Sequence, residues 1–287
     1  EQRDEVAKKA ADGEGAALPA PGFDEFRREK EESKPVVVLT VQDAAGNVVN
    51  RVEGPATQGF HRVAWNLRRP DTSAWERSVE VDEWDDGADS GALCAPGQYT
   101  VHFGTRVNGL FVDLGLQKPF SVNPLGGGSL PGATPEAAAA FQVQLAEASR
   151  RMSAAVATLG EAIETVSAIR SVLPRTPSIP PVLGAEVKGL EARLRELKRR
   201  LSGDELLSGA NEAGPMSVQA RLSLAELGTK FSTYGPTPNH RKALRIASGE
   251  IETMGQELRD IVENEIARLN AALDAARAPW TPGRLLR

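Results

Sequence analysis

The spacing of apolar residues changes once along this chain, and that change constrains the fold more than any single motif. Up to Val122 the apolar side chains recur at every second residue, which is typical of half-buried β-strands. From Thr134 onward they recur every three or four residues, which is typical of one face of an α-helix. Residues 123–132, rich in glycine and proline, separate the two patterns. The sequence therefore predicts a β-domain followed by a helical domain.

Six or so short strands with turn residues between them predict an antiparallel β-sandwich of immunoglobulin type over residues 35–123. Turns are expected at residues 43–47 and at Asn108-Gly109, a strong signal for a two-residue hairpin. The expected strands include Gly59 to Arg68, whose side chains alternate, and a closing strand from Lys118 to Val122. The predicted core consists of Val37, Leu39, Val41, Trp65, Tyr99 and Val101.

Two long helices are predicted after the boundary, each opened by a threonine cap followed by proline, at Thr134 and Thr237. Two shorter helices lie between them, one over residues 187–201 and one capped by Ser217. The predicted fold class is α+β, with an antiparallel helical bundle or long helical hairpin over residues 134–278. Residues 1–34 are a predicted charged connector, residues 124–133 a linker and residues 279–287 a C-terminal tail.

Apolar stripes of matching length follow both long helices, and Leu258 and Ile266 lie on the second. We expect the two shorter helices to leave part of these stripes uncovered. Uncovered apolar surface usually marks a contact site. The sequence therefore predicts weak self-association, or a protein partner, along the helical arm.

Composition excludes several functional classes. Thirty-four basic against thirty-nine acidic residues give a net charge of -5, which argues against a nucleic-acid partner. No apolar run approaches the roughly 20 residues of a membrane span. With Cys94 as the one cysteine and three scattered histidines, no metal site, cofactor or catalytic residue is predicted. The chain begins at Glu1 without an initiator methionine, so we expect a piece of a larger protein.

An acidic loop at residues 80–89 is the best candidate for a ligand site. Clustered carboxylates can bind calcium through six to eight oxygen atoms, although the spacing here does not match an EF-hand. Two tryptophans near these carboxylates could contact a sugar or a peptide. A solvated loop is the simpler interpretation. The candidate ligand contacts are Trp75, Asp82, Trp84, Asp85, Asp86 and Asp89.

Two segments carry a resemblance to a known family. Gly59-Phe60-His61-Arg62-Val63-Ala64-Trp65-Asn66-Leu67-Arg68 and Ala95-Pro96-Gly97-Gln98-Tyr99-Thr100-Val101 resemble the immunoglobulin-like module of the flagellar hook-capping type. In that type, a hairpin like Asp43-Ala44-Ala45-Gly46-Asn47-Val48-Val49 comes before them.

The whole chain is similar to the C-terminal part of large exported bacterial proteins with sortilin-like, BNR-repeat β-propellers, commonly labelled glycosyl hydrolase-like. The charged lead-in at residues 23–29, the helical region after the sandwich and the ending at residues 276–284 carry this similarity. The resemblance implies an exported protein whose propeller precedes this chain and holds any catalytic residues.

The leading functional hypothesis is a non-catalytic C-terminal module that braces the propeller and offers a helical arm for protein contacts. The first alternative is a carbohydrate- or peptide-binding module that uses the loop between Trp75 and Asp89. The second is a hydrolase complete within this chain, which would need two carboxylates across a cleft. Acidic residues are too common for that pair to be recognised from sequence.

Overall fold

The computed structural model describes residues 23–74, 91–125, 132–230, 232 and 234–285, and has an α+β fold. Its contacts form two compact units: the described residues up to Ala64 together with Thr100–Pro119, and Trp65–Tyr99 together with the described residues from Phe120. The elements in chain order are α1 (Phe23–Glu31), β1 (Val36–Asp43), β2 (Val48–Pro55), β3 (Gly97–Val107), β4 (Leu110–Val122), α2 (Pro135–Val172), a 3₁₀ turn (Leu173–Arg175), α3 (Val182–Ser202), α4 (Glu205–Gly209), α5 (Val218–Lys230), α6 (Pro238–Asp260), a π-helical segment (Ile261–Ile266) and α7 (Ala267–Ala275).

The four strands form one antiparallel sheet in the order β2-β1-β3-β4. β1 and β2 pair from Val36 opposite Pro55 onward, and a bulge follows Val41. The Asp43 carboxylate accepts hydrogen bonds from the backbone N–H groups of Ala45 at 3.0 Å and Asn47 at 2.9 Å, which fixes the predicted turn.

The predicted β-core is buried only in part. Val41 and Tyr99 are buried, whereas Val37, Leu39, Trp65 and Val101 are half-buried. The neighbours Thr40 and Val41 are both buried, so strict alternation between a core face and a solvent face fails at that end of β1.

The predicted strand from Gly59 to Arg68 does not form. Only Arg68 makes a β-bridge there, to Leu93. Local bonds hold the backbone in other conformations: His61 Nε2 donates to Thr57 O at 2.7 Å, and the Asn66 side chain accepts from Arg68 N at 2.9 Å. Leu67 has φ 64°, in the left-handed region, which is uncommon for a residue other than glycine and breaks the extended backbone of a strand.

The predicted closing strand, from Lys118 to Val122, is not separate from the strand before it, because β4 runs without a break from Leu110. The turn that opens β4 is as predicted. Asn108 and Gly109 have φ 48° and 77°, the left-handed pair that a type I′ hairpin turn requires.

The helix starts predicted from sequence are confirmed. Thr134 Oγ1 accepts from Ala137 N at 3.2 Å, and Ser217 Oγ accepts from Ala220 N at 3.2 Å. Thr237 forms a capping box in which His240 Nδ1 accepts from Thr237 N at 3.3 Å. Each cap satisfies backbone N–H groups that the first helical turn leaves unpaired.

The helices share one apolar core. α2 packs against α3, α5 and α6, and α5 packs against α3 and α6. The predicted stripes supply most of this core, including Val166, Leu194 and Ile251. Leu227 of α5 lies outside this core and is 69% exposed.

The spacing of buried residues changes once along the last long helix. Its buried residues are spaced by three and four up to Ile261, and the next is Ile266, five residues later. The π-helical segment accommodates this spacing because each of its turns holds one more residue than an α-helical turn. Val262, which lies four residues after the buried Leu258, is 37% exposed as a result.

Candidate interaction surfaces

The six candidate ligand contacts of the acidic loop, Trp75, Asp82, Trp84, Asp85, Asp86 and Asp89, lie outside the described residues. The residues that flank the loop are held in place. Ala74 N donates to Ser153 Oγ on α2 at 2.8 Å, and the Arg68 guanidinium donates to Gly91 O at 3.1 Å. A Cβ atom at Gly91 would lie 2.2 Å from Arg69 O, so a larger residue would clash there.

The aromatic residues that the sequence assigned to the core form a cluster. The Trp65 ring meets Tyr99 edge-on at 5.8 Å and Phe120 edge-on at 6.3 Å, while Tyr99 and Phe120 stack at 5.8 Å between ring centroids. Trp65 Nε1 donates to Arg68 O at 2.8 Å, and the Tyr99 hydroxyl donates to Ala95 O. These rings therefore pack against one another and stabilise the fold.

An exposed apolar surface lies on strand β4. We call Leu110, Val112 and Leu114 the β4 face, since these alternate residues precede the left-handed Gly115 and point to one side of the strand. Their exposed fractions are 74%, 57% and 48%. Phe111, on the other side of the strand, covers Gly104 of β3 with its ring, and a Cβ atom at Gly104 would lie 2.4 Å from that ring.

The sequence places β4 in the sheet but does not reveal that this face is uncovered. The one available signal is the run Leu110-Phe111-Val112, three consecutive apolar residues where a half-solvated strand would alternate. Large apolar side chains exposed side by side usually mark an interaction site.

The apolar stripes of the long helices are covered. Leu258 and Ile266 are 4% and 7% exposed and belong to the helical core. The premise that the shorter helices leave these stripes open is therefore wrong. A partner on the helical arm remains a prediction, and it would have to contact the outer surface of the helices.

Ion pairs join the helices on that outer surface. Arg193 of α3 pairs with Glu265 at 2.7 Å and with Glu257 at 3.6 Å, and the hydrogen bond to Glu265 raises the pKa of Arg193. Arg151 of α2 pairs with Glu252 of α6, and the hydrogen bond from Arg151 lowers the pKa of the Glu252 carboxyl. Both shifts favour the charged form, as expected for surface ion pairs.

A cavity of ≈ 380 Å³ lies beside the C-terminal segment, between α2, the π-helical segment and α7. Arg284 forms one side of this cavity and is itself held in place: its guanidinium donates to Asp274 at 2.6 Å and to Pro279 O at 2.7 Å. Trp280 Nε1 donates to Arg284 O at 2.9 Å. The ending that carries part of the family resemblance is thus folded onto α7, in an arrangement we call the C-terminal clasp (residues 274–284).

Within the part of the chain that the structure describes, no group of three or more His, Cys, Asp or Glu side chains could hold a metal ion. By length and composition alone, Pro135–Arg175 is one helix that could cross a membrane, with a mean hydropathy of 1.2 over a window that is 28% buried. Its buried residues belong to the helical core.

Comparisons with protein-family models, with curated proteins and with solved structures find no match to this chain.

Proposed function

We propose that this chain is a non-catalytic accessory module of an exported bacterial β-propeller protein, and that it docks onto the propeller through the β4 face. The observation that carries the proposal is the exposure of Leu110, Val112 and Leu114 on one side of β4, in the part of the strand before Gly115. Full burial of a large apolar side chain contributes about 1.5–3 kcal/mol, and these three side chains, being half-exposed, each forgo roughly half of that. A second protein surface on this face would recover that energy.

The resemblance described above supports a β-propeller as the second surface, because it implies an exported protein in which a propeller precedes this chain. In this proposal the sheet is part of an immunoglobulin-like sandwich. The bond from the Tyr99 hydroxyl to Ala95 O, four residues upstream, supports this because immunoglobulin-like domains carry such a tyrosine corner. The helices form a bundle whose charged outer surface is available for further protein contacts.

The test begins with the gene, because the proposal requires a propeller-encoding sequence upstream of Glu1. That upstream segment is expressed separately, and its binding to this chain is measured by isothermal titration calorimetry. The double substitution Val112→Glu/Leu114→Glu is expected to abolish binding, since it places two charges in a face that must lose its water.

Val48→Glu is the matched control. Val48 is 47% exposed and lies on β2, at the opposite edge of the same sheet, so its substitution should leave binding unchanged. The proposal fails if no propeller is encoded upstream, if the propeller segment does not bind, or if Val48→Glu and the double substitution weaken binding equally.

A further inference from the structure

The backbone of β4, as well as its side chains, is available for a contact. β4 is the last strand of the sheet, with β3 as its one hydrogen-bonded neighbour among the described residues. In the turn at Asn108-Gly109, the Val107 carbonyl accepts from Leu110 N, as in any two-residue hairpin. Leu110 therefore directs its backbone N–H toward β3. Because the direction alternates in an antiparallel pair, Phe111 and Asp113 direct their N–H and C=O groups away from the sheet.

The two edges of the sheet differ in their protection against pairing with another strand. Natural edge strands are usually blocked by charges, proline or bulges. β2, the other edge, carries Arg51 and Glu53, and Glu53 pairs with Arg106. β4 has such features only in its second half, at Lys118, Pro119 and the left-handed Gly115. From Leu110 to Leu114 it has Asp113 as its one charged residue and no proline.

We infer that β4 accepts an additional strand from the propeller protein, so that docking proceeds by β-strand addition. This inference rests on the proposed function and names its mode. The added strand pairs its backbone with the outward groups of Phe111 and Asp113, and its alternate apolar side chains cover the β4 face. It carries a lysine or arginine near Asp113, because opposite charges across neighbouring strands are stabilising.

A second copy of this chain fits the edge less well. Antiparallel self-pairing of two equivalent strands places the two Asp113 carboxylates opposite each other in the register centred on Asp113, and on neighbouring diagonal positions in the register centred on Val112. Like charges directly opposite are destabilising. The charge on the edge therefore favours a different, basic strand.

Two substitutions at one position separate strand addition from side-chain docking. Asp113→Pro removes the outward N–H, and proline is tolerated on an edge strand where the N–H faces solvent. Asp113→Ala is the matched control, since it removes the same carboxylate, and with it the bond that Gly115 N donates at 2.7 Å, but keeps the N–H. Both variants are first shown to melt cooperatively near the wild-type temperature.

With the upstream propeller segment as the probe, Asp113→Ala should bind a few-fold more weakly and with a smaller salt dependence. Asp113→Pro should bind at least about ten-fold more weakly than Asp113→Ala, because the added strand loses a backbone hydrogen bond. Hydrogen exchange should show protection gained on binding at the amides of Phe111 and Asp113.

Equal binding by the proline and alanine variants, without new amide protection, would overturn strand addition. The proposed function would still stand in that case, provided that Val112→Glu/Leu114→Glu abolishes binding. If the propeller segment does not bind the wild-type chain at all, the proposed function fails, and the strand addition that rests on it fails too.

Discussion

At the scale of single residues, Arg284 is the charge whose burial matters most to the C-terminal clasp. Its side chain is 7% exposed and that of its partner Asp274 is 22% exposed. Removing one partner of a buried pair leaves an uncompensated charge and costs about 3–5 kcal/mol. Asp274 keeps some contact with water, so we expect Arg284→Met to lower the free energy of unfolding by about 3 kcal/mol, the lower end of that range. Urea denaturation measures this change.

Arg150 provides the control for Arg284. It makes a similar close pair with Glu147, at 2.6 Å, but both side chains are about half exposed. Exposed pairs contribute little because water and salt screen them, so Arg150→Met should leave the denaturation midpoint unchanged. If Arg284→Met also leaves it unchanged, the clasp does not stabilise the fold, and the ending from Ala276 to Arg284 has another role.

At the scale of elements, local signals were sufficient for the helices and insufficient for one strand. Thr134 and Thr237 each stand directly before a proline, and this combination specifies a helix start from residues adjacent in sequence. The segment from Gly59 to Arg68 alternates well, yet alternation does not encode the side-chain bonds of His61 and Asn66 to the backbone. Those bonds compete with strand pairing and prevail here.

The π-helical segment leads to a prediction about deleting one of its residues. The five-residue step from Ile261 to Ile266 contains one residue more than an α-helix needs to keep both side chains on the buried face. Deleting the exposed Glu263 should convert the segment to an α-helix while α6 and α7 keep their packing. We expect this variant to melt cooperatively, at a temperature close to that of the wild type.

Deleting Thr253 from α6 is the matched control. Thr253 is exposed, as Glu263 is, but it lies in a regular helix, so its deletion rotates one half of the stripe by about 100° out of the core. Circular dichroism should show loss of cooperative melting for this deletion alone. Equal tolerance of the two deletions, or unfolding by both, would contradict this account of the π-helical segment.

At the scale of the whole molecule, the sequence predicted uncovered apolar surface along the stripes of the long helices, whereas the structure covers Leu258 and Ile266 and leaves the β4 face exposed. The spacing of apolar residues shows which side of a helix is apolar. In the structure, the stripes of both long helices pack into one shared core. Whether a strand face is covered depends on which elements pack over it, and no local pattern encodes that. The exposure of Val112 and Leu114 therefore had to come from the three-dimensional structure.

The last prediction concerns association of the isolated chain. Without a partner strand, two β4 edges should pair weakly, because the apolar faces attract and the opposed Asp113 carboxylates repel. Sedimentation velocity should show a coefficient that rises with concentration, and more strongly at high salt, which screens the repulsion. Val112→Glu/Leu114→Glu should remain monomeric, whereas Val48→Glu should behave as the wild type.

Substitutions at Leu258 and Ile266 cannot serve as tests of this association, since both residues are buried in the helical core and their loss would unfold it. A wild-type chain that stays monomeric at every concentration would show that the β4 face does not drive contact between copies.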